Sequence, residues 1–140
     1  MPSILVDASF LVALAYLKAP DHAAVVQFAV HHRRDLLIPE VVLVEAMFNI
    51  RRLAGEATAV AVGRELLTRR QSPLFVSLTH QDFERALTVM ETYANIKLDF
   101  VDCCLTALAE RLNITHIATL DRRDFSIIRP KHVSYFTLVP

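Results

Sequence analysis

Short apolar, β-branched runs alternate along this chain with longer stretches of helical periodicity, and that alternation admits few folds. Strands separated by helices return to one sheet in parallel, so the pattern predicts a parallel sheet wrapped by helices, an α/β architecture. The first strand spans about Ser3 to Val6, an uninterrupted run that reads as buried on both faces. A helix from about Ser9 to Leu17 follows, and Ala19-Pro20-Asp21 opens another. Leu36-Leu37-Ile38 reads as the second strand. Pro39 and Glu40 then suit the first turn of a helix running to about Ala54, where Gly55 stops it. Within it, Val41, Val42, Ala46, Phe48 and Leu53 are expected to pack inward. A helix over about Glu56 to Arg70, ended by Ser72-Pro73, precedes a strand at Leu74 to Ser77. Thr79 and Gln81-Asp82 introduce a helix through about Ala94, and Asp99 to Leu112 forms the next. Strands follow at His116 to Leu120 and Ser134 to Leu138.

At 140 residues the chain reads as one domain able to bury its own core. Net charge is zero, so no overall positive field announces a nucleic acid. Arginines nevertheless occur in pairs, Arg33-Arg34, Arg51-Arg52, Arg69-Arg70 and Arg122-Arg123, each either a solvated helix end or a contact for phosphate. The adjacent cysteines Cys103-Cys104 cannot staple distant segments and point to a reducing compartment. None of the histidines falls in a zinc-binding pattern. No apolar run approaches the ~20 residues of a membrane span, and the first residues lack a signal-peptide layout, so a cytoplasmic, soluble protein is expected.

Four acids stand in mostly apolar sequence: Asp7, Glu45, Asp102 and Asp121. An ionised carboxylate facing a core is costly unless a cation or hydrogen bonds compensate it, and several converging together repel. A divalent metal is the economical reason to gather them. Asp7 and Asp121 each follow a strand, the end at which open α/β sheets bind ligands, provided the two strands are neighbours. Asp7 also suits an N-cap, and Asp121 a turn before Arg122-Arg123. Glu45 interrupts an apolar stretch, unless it lies at the edge of the stripe and faces water. Asp99 and Asp102 share a helix face that Thr106 continues; they also suit a cap and third-position pair. Oxygen donors without His or Cys favour Mg²⁺ or Mn²⁺ over Zn²⁺. The chemistry that follows is phosphodiester hydrolysis, with Glu45 or Asp121 as candidate general base.

The four segments together resemble the PIN-domain ribonucleases, and among them the VapC-type toxins of toxin–antitoxin pairs. The resemblance covers essentially the whole chain. Val-Asp-Ala-Ser-Phe-Leu-Val-Ala at Val6 to Ala13 is similar to the opening motif, which implies Asp7 as a metal ligand and Ser9 as its supporting hydroxyl. Pro39 to Asn49 resembles the second motif, with Glu45 its acid. Asp102-Cys-Cys-Leu-Thr-Ala-Leu-Ala-Glu resembles the third, with Cys103-Cys104 where many relatives have Ala-Leu. Ala118-Thr-Leu-Asp-Arg-Arg-Asp-Phe resembles the fourth, with Asp121 the acid and Phe125 a packing residue. The family implies a three-layer α/β/α sandwich with a parallel sheet of about five strands. It further implies Mg²⁺-dependent RNA cleavage, with Mn²⁺ a possible substitute, and homodimers. Its toxins imply a small antitoxin that lies across the toxin and blocks its active site, in a groove to which the apolar segment Val41 to Ile50 would contribute.

Asp7 and Asp102 are thus the expected ligands, with Glu45, Asp121 and Asp99 as further site acids. Asp124 reads as surface charge. Arg51, Arg52, Arg122 and Arg123 are candidate RNA-phosphate contacts. Two other readings compete. One is a catalytically silent PIN-like module that binds RNA or protein. The other is a phosphoaspartyl protein, disfavoured because Asp7-Ala8-Ser9 lacks a second acid two residues on.

Overall fold

A computed structural model describes residues 3–68 and 74–140. The strands are β1 (Ile4–Val6), β2 (Leu36–Pro39), β3 (Leu74–Val76), β4 (His116–Ala118) and β5 (Thr137–Val139). The helices are α1 (Ala8–Ala15), α2 (His22–His31), α3 (Glu40–Ala54), α4 (Glu56–Thr68), α5 (His80–Thr92), α6 (Phe100–Leu112) and α7 (Arg122–Ile127). The five strands form one sheet in the order β3-β2-β1-β4-β5, every pair parallel. Ile4, Leu5 and Val6 are buried, as the absence of polar alternation in β1 requires.

Right-handed crossovers fix the layers. The steps β1 to β2 and β2 to β3 run one way across the sheet and lay α1–α4 on one face. The steps β3 to β4 and β4 to β5 run the other way and lay α5–α7 on the opposite face. Contacts agree: α1 packs on α2 and α3, α3 on α4, and α5 on α6. The chain therefore changes direction between β1 and β4, and the carboxyl ends of those two strands border the resulting crevice.

Several local expectations need correction. Pro39 closes β2 and occupies the N-cap position of α3 in an extended conformation, instead of sitting inside the first turn. Its lost N–H is harmless at either place. Val42, Ala46 and Ile50 are core, but Phe48 is 68% exposed and Leu53 is exposed as well. The buried stripe follows every fourth residue from Val42, and Phe48 falls off it. Asp121, expected as a turn residue, is the N-cap of the short helix α7, which is too brief to show a period and is held down by buried Phe125. Phe125 packs edge-on to Phe136, with ring centroids 5.9 Å apart. The turn signal Ser72-Pro73 and the pair Arg69-Arg70 lie outside the described residues. Gly55 ends α3 with φ +92°, a backbone state that favours glycine.

The layer opposite α3 is tied by charge. Thr79 and Asp82 form a reciprocal cap at the start of α5: Thr79 Oγ1 accepts from Asp82 N at 3.1 Å, and Asp82 Oδ2 accepts from Thr79 N at 2.9 Å. Arg111 Nε of α6 donates to the same carboxylate at 3.0 Å. Burial alone would raise the Asp82 pKa, but Arg111 and Thr79 outweigh it and hold the group below its usual range. Replacing Asp82 with Ala is expected to cost about 1–3 kcal/mol of stability by removing the cap and orphaning Arg111. Urea denaturation reads this directly; an unchanged midpoint would show that the tie contributes nothing.

Candidate active site

Asp7 stands immediately after β1 and N-caps α1, its Oδ1 accepting from Ala8 N at 2.7 Å. Its other oxygen, Oδ2, is claimed by two hydroxyls: Thr119 Oγ1 at 2.8 Å and Ser9 Oγ at 3.1 Å. Ser9 Oγ in turn accepts from Leu120 N at 3.0 Å. Thr119 Oγ1 accepts from Asp121 N at 3.1 Å, and its single proton has two acceptors, Asp7 Oδ2 at 2.8 Å and the Asp121 carbonyl at 3.1 Å. The hydroxyls thus fasten Asp7 to the segment leaving β4, the strand paired with β1. Ser9, expected beside Asp7, is hydrogen-bonded to it, and Thr119, fully buried, is a second hydroxyl on Asp7 that the sequence had not singled out.

The other acids arrive from three directions. Asp102 lies in the first turn of α6 and is 7% exposed, while Asp99 caps that helix through Val101 N at 2.9 Å and remains exposed. The cap expected of Asp99 is therefore present, and it leaves the Asp102 carboxylate uncommitted to the helix N-terminus. Glu45 enters from α3 and is half-buried. Asp121 is exposed, three residues beyond the end of β4 instead of directly after it. Asp7, Glu45, Asp99, Asp102 and Asp121 line one cleft of about 420 Å³, together with Ser9. Asp124 overturns its reading as surface charge: it is buried, bonded to Asp102, and held by Arg123 Nη1 at 2.8 Å. Its position on the inward side of α7 was invisible because that helix was not expected.

Of the arginines singled out, Arg52 lines the cleft. Arg51 faces Glu56 at 3.6 Å on the surface. Arg122 donates to the Pro140 carbonyl and Arg123 pairs with Asp124.

Among the described residues, no Lys or Arg forms an ion pair with Asp7, Glu45 or Asp102. Burial raises the Asp7 pKa despite its hydrogen bonds, with the nearby Asp121 charge adding to the effect. Burial, then the Asp7 charge, the bond that protonated Asp102 donates to Asp124, and the Asp99 charge push Asp102 up to about 9. Burial and the charges of Asp99 and Asp7 raise Glu45 to about 6. Negative charge is concentrated here without a matching cation. Among the described residues, no three such side chains already close around an ion-sized space. The donor set, carboxylate and hydroxyl oxygens alone, suits a hard divalent cation, which Asp7 and Asp102 would hold. Such an ion would relieve the repulsion.

These shifts set a pH dependence. An acid that holds its proton more tightly when folded stabilises the fold at low pH. That contribution is lost as pH rises from about 4, through about 6 for Glu45 and about 9 for Asp102. In EDTA, Tm is expected to fall between pH 5 and 8.5, Mn²⁺ to restore it more at pH 8.5 than at pH 5, and Asp102→Asn to flatten both trends. A Tm indifferent to Mn²⁺ at pH 8.5 would contradict this.

The PIN domain family model matches residues 4–129. Ribonuclease VapC26 of Mycobacterium tuberculosis is 28% identical over 137 residues, which is 98% of this chain and all of that protein. The crystal structure of VapC20 from the same organism, described as a toxin that cleaves the sarcin-ricin loop, superposes with a TM-score of 0.81 at 22% identity. The match covers 94% of this chain and 98% of that one, so the fold is shared. A protein of Pyrobaculum aerophilum gives a TM-score of 0.61 at 25% identity, covering 99% and 90% respectively.

Proposed function

The chain belongs to the PIN-domain family, and we propose that it is a metal-dependent endoribonuclease, the toxin of a toxin–antitoxin pair. The observation that carries the reading is the burial of Asp7 and Asp102 in one cleft without a partner cation. The full-length likeness to a ribonuclease supports the choice of RNA as substrate.

In this reading Asp7 and Asp102 hold Mg²⁺ or Mn²⁺, with Glu45, Asp99 and Asp121 as the further acids of the site. The ion supplies Lewis acidity at the phosphoryl group and a lowered pKa for the attacking water. Glu45, poised at about 6, is the general base: near neutrality it is mostly ionised yet basic enough to accept a proton. Thr119 and Ser9 keep Asp7 pointed into the cleft. Arg52 offers a cation to the RNA backbone; Arg51, Arg122 and Arg123 are more distant phosphate contacts.

The partner is a small antitoxin. Within Val41 to Ile50, Val42, Ala46 and Ile50 are core, so only the exposed Val44 and Phe48 are free to contribute to such a groove. A second apolar groove, of about 440 Å³, lies among α1, α2 and α4, walled by Phe10, Leu14, Val26, Val30, Val62 and Leu66. An apolar antitoxin segment suits it. No helix among the described residues is long and apolar enough to cross a membrane. The proposal places a single PIN domain, paired as a homodimer, in the cytoplasm with its RNA.

Cleavage of total RNA with Mg²⁺ is expected to stop on adding EDTA and to fall by about 100-fold or more in Asp7→Asn and Asp102→Asn proteins that remain folded. Undiminished cleavage in both would refute the assignment. Folded protein that binds RNA yet cuts none would instead identify a silent binding module. Thr119→Val is expected to lower activity by about 10–100-fold, and Thr119→Ser to recover most of it. Equal activity in all three would remove Thr119 from the machinery.

A further inference from the structure

The cleft extends beyond its acids along α3. Glu45, Asn49 and Arg52 stand at positions i, i+4 and i+7, so one helix face presents a carboxylate, an amide and a guanidinium in a row leading away from the metal site. All three line the cleft. Asn49 spends one N–H on the Glu45 carbonyl at 3.3 Å, which fixes the amide and leaves its oxygen and second N–H for a ligand. Arg52 has no acidic partner among the described residues and is exposed.

The facing wall carries Tyr16, at the end of α1, which packs against α3. Among the described residues, Tyr16 is the one aromatic residue lining the cleft. It is half-buried, and among the described residues its ring stacks on no other aromatic group and its hydroxyl makes no hydrogen bond. At about 420 Å³ the cleft is within the size range of small-ligand sites.

We propose that this extension is a nucleotide subsite: one unstacked base beside the scissile phosphate lies on the Tyr16 ring, Asn49 meets its edge, and Arg52 takes the adjoining phosphate. Every base has a π-face, so Tyr16 supplies affinity that tolerates sequence. The Asn49 amide offers a donor beside an acceptor and supplies preference among bases. A base can reach the ring only when it is out of a helix, so single-stranded or looped RNA is selected. The proposal deepens the ribonuclease reading and rests on it.

The test measures binding apart from cutting. A fluorescein-labelled 12-nucleotide single-stranded RNA of randomised sequence is titrated in EDTA, with fluorescence anisotropy as the readout. Wild type and Tyr16→Phe are expected to bind alike, and Tyr16→Leu to bind about 5- to 150-fold more weakly. Should Tyr16→Leu fail to fold, wild type is titrated with a 12-mer of abasic ribonucleotides, for which a similar loss is expected. With Mg²⁺ restored, Asn49→Ala is expected to cut more slowly and to lose its preference for the base at the cleavage site, and an unchanged preference would remove Asn49 from the subsite. Equal binding by Tyr16→Leu, or by the abasic chain, would overturn the subsite. That outcome is separable from failure of the ribonuclease reading, which appears as undiminished cleavage in the Asp7→Asn and Asp102→Asn proteins.

Discussion

The burial of carboxylates at the crevice between β1 and β4, with their mutual repulsion added to it, is the constraint on which this structure turns. Elsewhere the chain neutralises its inward-facing acids: Asp82 is met by Arg111, and Glu110 by Arg85 through bonds of 2.8 and 3.1 Å. Asp7 and Asp102 are as buried as Asp82 but receive hydroxyls, amides and other acids as neighbours. Hydrogen bonds to Asp7 lower the cost of its charge without cancelling it. Asp124 has Arg123 as well, whereas Asp7 and Asp102 pair with no arginine among the described residues, and that difference is the basis for proposing a cation from outside.

Topology creates the place where this happens. Reversal of strand order puts the ends of β1 and β4 side by side, and α6 aims its first turn at the same crevice from the opposite layer. The segment leaving β4 does more than carry Asp121: through Thr119 and the Leu120 amide it grips Asp7 and Ser9 of the neighbouring strand. A displacement of either strand would break this link, so stability of the sheet and aim of the carboxylate are coupled. Asp124, held by Arg123, stands beside Asp102 and adds to the negative charge that keeps a proton on it.

Much of this could be read from the residues in order. The apolar runs at Ile4–Val6 and Leu36–Pro39 are short and bounded, and strands so marked leave little choice but a parallel sheet. Asp7 and Glu45 were visible because they interrupt apolar sequence. What stayed hidden depends on distance. Thr119 looks like an ordinary strand residue until β4 is laid beside β1. Asp124 looks like a surface acid because a six-residue helix shows no period. Tyr16 and Asn49 acquire meaning once α1 and α3 face each other across the cleft. Phe48 misled because hydrophobicity was taken for burial, whereas the helix turns that position outward.

The central claim is that Asp7 and Asp102 share a divalent ion, and crystals grown with Mn²⁺ would examine it most directly through anomalous scattering. The account predicts a peak between the two residues, with carboxylate oxygens of both at metal–oxygen bonding distance, about 2.0–2.3 Å. A clean map showing Mn²⁺ bound elsewhere, or no peak between these side chains at saturating Mn²⁺, would contradict it.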